Sequence, residues 1–158
     1  MIVTVLKNSI RIEAPPEAVW EALTRLDALH EYDPGIERSA LRTVQRAGVG
    51  ADRQCDIKAG GWFRERVTVW EPASALEFTL YACTLPVRRL RHHYALHAED
   101  GGTRIDQTQE YTLKYGPLGA ALDALFVRRQ WDAGVKRFFA GLKSYVEEGR
   151  ARRAQAGS

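Results

Sequence analysis

Residues 90–113 read LRHHYALHAEDGGTRIDQTQEYTL, and whether they are helix or strand decides the fold. As a helix, the segment would set His93 and His97 one turn apart, a spacing that can grip zinc. As strands, it forms a hairpin: apolar and polar residues alternate on both sides of Asp100-Gly101-Gly102, a turn signal. The alternation decides for strands. His93 and His97 then stand roughly 13 Å apart along one face while His92 points to the other, so a two-histidine chelate fails on distance.

The same pattern extends outward over Ile36 to Leu113. Short alternating runs are separated by Ala47-Gly48-Val49-Gly50, Ala59-Gly60-Gly61, Glu71-Pro72-Ala73-Ser74, Thr84-Leu85-Pro86 and the hairpin turn itself. Six runs result, with no helix-length segment between them to permit parallel crossovers, so an antiparallel meander is expected. VTVLKNSIRIEA (3–14) reads as a seventh strand. It is followed by APPEAVWEALTRLDAL (14–29), in which Pro15 and Pro16 suit a helix start and Val19, Trp20, Leu23 and Leu26 recur at helical spacing. A second short helical piece, Ala28 to Tyr32, should stop at Asp33-Pro34-Gly35.

From Pro117 to about Glu148 the chain reads as one long helix carrying two apolar stripes. Trp131, Val135, Phe138, Phe139, Leu142, Tyr145 and Val146 share one side, whereas Leu118, Leu122, Leu125 and Phe126 lie roughly 150° around the axis from them. One straight helix cannot bury both against one sheet. Either it breaks near Val127 to Gln130, or its first half presents an apolar face to a cavity mouth, a protein partner or a membrane surface. Residues 150–158, GRARRAQAGS from 149 onward, have little apolar content and are expected to fray beyond a single domain of residues 1–149.

Composition narrows the class. The 158 residues are 45% hydrophobic and 27% charged, with a net charge of +3. That is an ordinary globular balance, far from the one-sided charge of a nucleic-acid binder. Two cysteines, Cys55 and Cys83, with one strand between theirs, are expected to be free thiols too distant to pair. With no basic-then-apolar leader in MIVTVLKNS, the expected compartment is the cytoplasm. Zinc ribbons, nucleophile elbows and phosphate loops have no counterpart in the sequence.

One strand, two short helices, six antiparallel strands and a long terminal helix is an order that resembles the START-related helix-grip superfamily (SRPBCC). Four stretches are similar to its polyketide cyclase/dehydrase-like branch: SIRIEAPPEAVWEALTRLDALHEYDPGI (9–36), GVGADRQCDI (48–57), ERVTVWEPASALEFTL (65–80) and GPLGAALDALFVRRQWDAGVKRFFAGLKSYVEE (116–148). The resemblance covers nearly the whole chain. It implies an α+β fold in which a curved seven-stranded antiparallel sheet wraps the long C-terminal helix, leaving a hydrophobic pocket between them. Members serve as aromatic polyketide cyclases, as carriers of lipids or quinones, and as hormone receptors, so the fold alone does not select a function.

Strand parity proposes the pocket lining. His92 shares a face with Leu90, Tyr94 and Leu96. Gln107 and Gln109 go with Ile105, Tyr111 and Leu113. Arg53 goes with Cys55 and Ile57, and Glu65 with Phe63, Val67 and Val69. With Phe78 from the intervening strand, the expected ligand contacts are Arg53, Cys55, Glu65, Val67 and Phe78 on one half of the sheet, and His92, Tyr94, Gln107, Gln109 and Tyr111 on the other. Arg53 and Glu65 are either a site or a structural ion pair, and His92 is either a base or a satisfied core histidine. If the protein is an enzyme, Arg53 holds an oxyanion, Glu65 or His92 moves protons and Tyr94 donates one, a chemistry that needs neither metal nor cofactor.

Overall fold

A computed structural model describes residues 2–158. Seven strands, β1 (Thr4–Ile12), β2 (Ile36–Leu41), β3 (Asp52–Ile57), β4 (Trp62–Glu71), β5 (Ala75–Cys83), β6 (Val87–Glu99) and β7 (Gly102–Leu113), form one sheet. Its order is β1-β7-β6-β5-β4-β3-β2, and every neighbouring pair is antiparallel. Helix α1 (Pro16–Thr24) and a 3-10 turn (Leu29–Glu31) carry the chain from β1 to β2 at the opposite edge. After β7 come α2 (Gly116–Leu122), a π-helical turn (Asp123–Val127) and α3 (Arg128–Ala156). This is the helix-grip arrangement, a curved sheet wrapped around α3.

Register shifts between β2 and β3, β4 and β5, and β6 and β7 bend the sheet, because a bulge kinks its strand and increases the local twist. One of them corrects the parity reading. The shift between Val67 and Val69 lets Trp70 pack against the core in place of Val69, and its indole meets Trp20 of α1 edge-on at 5.1 Å.

The expected inward stripe of the long helix is buried: Val135, Phe138, Phe139, Leu142 and Val146 pack against the concave face of the sheet. At Gly141 the helix comes so close to the 3-10 turn that a Cβ would lie 1.8 Å from the Tyr32 carbonyl oxygen. The Tyr32 ring sits between Phe138 and Tyr145, with centroids 5.8 and 5.3 Å away.

The two stripes are reconciled upstream of the expected break at Val127 to Gln130. The chain does not leave the helix; it inserts a π turn at Asp123–Val127, which takes one more residue per turn and re-phases what precedes it. The face toward the protein is made by Gly119 of α2, whose Cβ would meet the Lys114 carbonyl oxygen at 2.1 Å, and by buried Asp123 of the π turn. Leu118, Leu122, Leu125 and Phe126 therefore face outward, 44–65% exposed. Most of the tail that was expected to fray is helical. Helix α3 continues to Ala156, because its alanines and arginines are good helix formers and Arg150 Nη1 donates to the Glu13 carbonyl at 2.6 Å.

Candidate functional site

Between the sheet and the N-terminal half of α3 lies a cavity of about 740 Å³. Leu29 and Ile36, Leu80, Val87 and Leu90, and Trp131, Val135 and Phe138 of α3 give it mostly apolar walls. Gly35, Pro86, Gln130 and Arg137 also line it and are exposed, so they mark where it opens to solvent.

Six of the residues placed inward by strand parity share this wall: Arg53, Glu65, His92, Tyr94, Gln107 and Gln109. The register explains their convergence. Arg53 is the direct partner of Glu65, His92 of Gln109, and Tyr94 of Gln107. Neighbouring rungs of one concave face thus carry all six.

Arg53 donates from Nε and Nη2 to the same carboxylate oxygen of Glu65, Oε1, the former at 2.7 Å. The guanidinium also lies over the Phe78 ring, 4.3 Å from its centroid. Glu65 Oε2 is thereby left off the arginine and stands 3.7 Å from His92 Nε2. Gln107 Nε2 donates to the Tyr94 hydroxyl at 3.1 Å, so that hydroxyl keeps its own proton to give. Five buried atoms in this set have no partner among the described residues: Arg53 Nη1, His92 Nδ1, Gln107 Oε1, and both Nε2 and Oε1 of Gln109.

Burial holds the His92 imidazole below its usual pKa, with Arg53 adding to the effect and Glu65 opposing it. Burial likewise pushes the Tyr94 phenol up, with Glu65 adding to it. For Arg53, burial is the largest influence and works against the charge, yet Glu65, Cys55 and Tyr32 together outweigh it and the pKa rises. At neutral pH the wall therefore holds one ion pair, a neutral imidazole and a protonated phenol.

The His92 shift has a measurable sign. A histidine whose pKa is depressed on folding contributes stability that is fully present above its unfolded value, about 6.5, and is lost as the pH falls toward the folded value. Against a His92→Gln variant, the wild type should lose stability as the pH drops below about 6.5, by up to about 1.4 kcal/mol per pH unit. Asp33, raised by burial, works in the opposite sense and cancels in the comparison because both proteins contain it. Urea unfolding at several pH values reads the difference, and parallel curves for the two proteins would contradict it.

Four residues expected on the wall are not there. Cys55, Val67 and Phe78 share the inward face but lie within the closed core, at most 2% exposed. Burial pushes the Cys55 thiol up to about 12, so it is inert. Phe78 serves the site from behind, as the ring under Arg53. Tyr111 is committed elsewhere: it stacks on Trp131, 4.6 Å between centroids, and donates its hydroxyl to Asp123 Oδ1.

Asp123, which was not among the expected site residues, is 3% exposed and also accepts from the Thr4 hydroxyl at 2.6 Å and from Arg128 at 3.2 Å. A lone acid inside GPLGAALDALFV was the available signal. Asp33 and Arg137, at the opening, were not anticipated. His93 and His97 lie on the outer face, beside Glu77 at 3.1 Å and Asp106 at 3.3 Å. Phe63 is the register partner of both cysteines, which are free and one strand apart.

A curved sheet gripping a helix over a partly polar cavity defines the helix-grip class. Residues 4–147 match the family described as polyketide cyclase / dehydrase and lipid transport, and the chain belongs to it. Two solved structures share the fold: the Thermus thermophilus protein TTHA0849, at 21% identity and a TM-score of 0.79, and Ara h 8.0201, at 15% and 0.74. Each match covers 92% of this chain and 99% of the other. No curated protein matches the sequence.

Proposed function

We propose that the protein binds a hydrophobic small molecule, polyketide-, lipid- or quinone-like, in the cavity between sheet and α3, and does so in the cytoplasm. The observation that carries this reading is the set of five unpartnered buried polar atoms on an otherwise apolar wall. Leaving such a group unpaired costs about 1–3 kcal/mol, a cost that a ligand with an apolar body and an oriented polar end removes. The volume of about 740 Å³ suits a molecule of several rings or a folded acyl chain.

Native mass spectrometry of protein purified from its own host should reveal a co-purifying hydrophobic compound. Gln109→Leu then separates binding from folding. It removes two unpaired atoms, so the empty protein should gain about 1 kcal/mol, while affinity for that compound should fall about tenfold through a lost hydrogen bond. A gain in stability with unchanged affinity would place the ligand's polar end away from Gln109.

A second reading, an aromatising cyclase/dehydrase, rests on Glu65 Oε2, which Arg53 does not engage and which lies near a neutral His92. Either group could remove a proton beside a substrate carbonyl. Arg53 Nη1 would steady the enolate as it adds to a second carbonyl, and Tyr94 would protonate the resulting alkoxide before water is lost. Turnover abolished in His92→Ala and Glu65→Gln with affinity retained would decide for this reading; loss of affinity alone favours the carrier.

A further inference from the structure

The ligand site leaves one surface unexplained, the outward face of α2 and the π turn. Leu118, Leu122, Leu125 and Phe126 are 65%, 44%, 61% and 62% exposed, and Tyr115 beside them is 68% exposed. Single exposed apolar residues are ordinary; four at helical spacing form a patch that calls for a partner. It is flanked in the chain by Lys114 after β7 and by Arg128 and Arg129 at the start of α3, and Arg88 and Arg89 open β6, the neighbour of β7; all five are exposed. The Lys114 amide bonds the Pro86 carbonyl, which ties these segments together. The one acid within residues 113–130, Asp123, is buried and bridged to Arg128.

We propose that this face docks on a bilayer surface containing anionic lipid. An apolar helical face rimmed by lysine and arginine fits the boundary between acyl chains and negative headgroups, with the long cationic side chains reaching to the phosphates. A second copy of the chain fits poorly, since self-pairing would bring Arg88, Arg89, Lys114 and Arg129 toward their own like charges. None of the described helices is long and apolar enough to cross a membrane, so the contact is peripheral. The patch also adjoins the cavity: Leu113 precedes it in the chain, Val127 and Gln130 follow it, and all three line the wall together with Leu85 and Pro86. Docking there brings the opening to the lipid surface, where an apolar ligand is concentrated. That purpose rests on the proposed ligand binding; the docking itself does not.

The test is co-sedimentation of the ligand-free protein with vesicles of pure phosphatidylcholine and of phosphatidylcholine with phosphatidylglycerol in a three-to-one ratio. Binding is expected to the anionic vesicles and to be at least about tenfold weaker to the neutral ones, given the attraction of several cations near the surface. It should be reversed by high salt. Leu122→Asp with Phe126→Asp should abolish it, and Arg88→Glu with Arg129→Glu should weaken it at least about tenfold. All four side chains are exposed, so the variants should fold, and circular dichroism checks this. No pelleting with either vesicle overturns the proposal, as does binding indifferent to the Leu122 and Phe126 changes. A lipid-free dimer lost in Leu122→Asp also overturns it and assigns the face to a second copy. Vesicle binding without any co-purified compound would leave the docking standing and the ligand reading failed.

Discussion

Replacing Glu65 by alanine is expected to lower the unfolding free energy by about 3–5 kcal/mol, because Arg53 is then left as a buried, uncompensated charge. Its side chain is 6% exposed and that of Glu65 2%. The ring of Phe78 beneath the guanidinium recovers only about 0.5–2 kcal/mol. Removing both charges should behave differently. In Arg53→Met with Glu65→Leu the desolvation cost of both ions disappears, and stability should return to near the wild-type value or exceed it. Urea denaturation of the single and double variants measures this. A single-variant loss below about 1 kcal/mol would mean that Arg53 can turn to water instead. A stable, ligand-free double variant would show that the pair is kept for what it binds and not for the fold.

Gly141→Ala should be as severe. In most helices glycine to alanine gains up to about 1 kcal/mol. At position 141 the new Cβ would lie 1.8 Å from the Tyr32 carbonyl oxygen and 3.0 Å from its carbon, both backbone atoms that cannot swing aside. The helix must move off the 3-10 turn, which draws Phe138 and Tyr145 away from the tilted Tyr32 ring between them. A loss of about 3 kcal/mol or more is expected, at the upper end of overpacking costs. Gly149→Ala in the same helix is the control. Nothing stands within 4 Å of its Cβ, so it should stabilise by about 0.5–1 kcal/mol. Thermal unfolding of the pair reads opposite signs, and wild-type stability for Gly141→Ala would contradict the close approach. Because Leu29 and Asp33 flank Tyr32 and line the cavity, Gly141→Ala should also deform the opening.

Most of the site was legible because period-two alternation ties every residue of a half-buried strand to a face. Arg53 and Glu65, His92 and Gln109, and Tyr94 and Gln107 each proved to be direct cross-strand partners. Parity gives a face but not a depth, and so it could not separate wall from closed core. Cys55, Val67 and Phe78 lie where the bent sheet and α3 close on one another. A bulge defeats parity altogether, as at Val69 and Trp70. Tyr111 was misjudged because its hydroxyl partner, Asp123, also depends on Thr4, 119 residues away in sequence. Asp33 and Arg137 lie on a loop and an exposed helix face, where no periodic signal marks a cavity residue.

The π turn at Asp123–Val127 has a consequence for how this protein can change over generations. Pinned through Asp123 by Thr4, Tyr111 and Arg128, it uncouples the angular phase of α2 from that of α3. Substitutions on the outward leucines need not alter the buried register of Val135 to Val146, so selection can reshape what this surface meets while the grip on the helix is inherited intact. Loss of the one extra residue would remove that freedom, because the leucine face would swing by about 100° and compete with α3 for the same core.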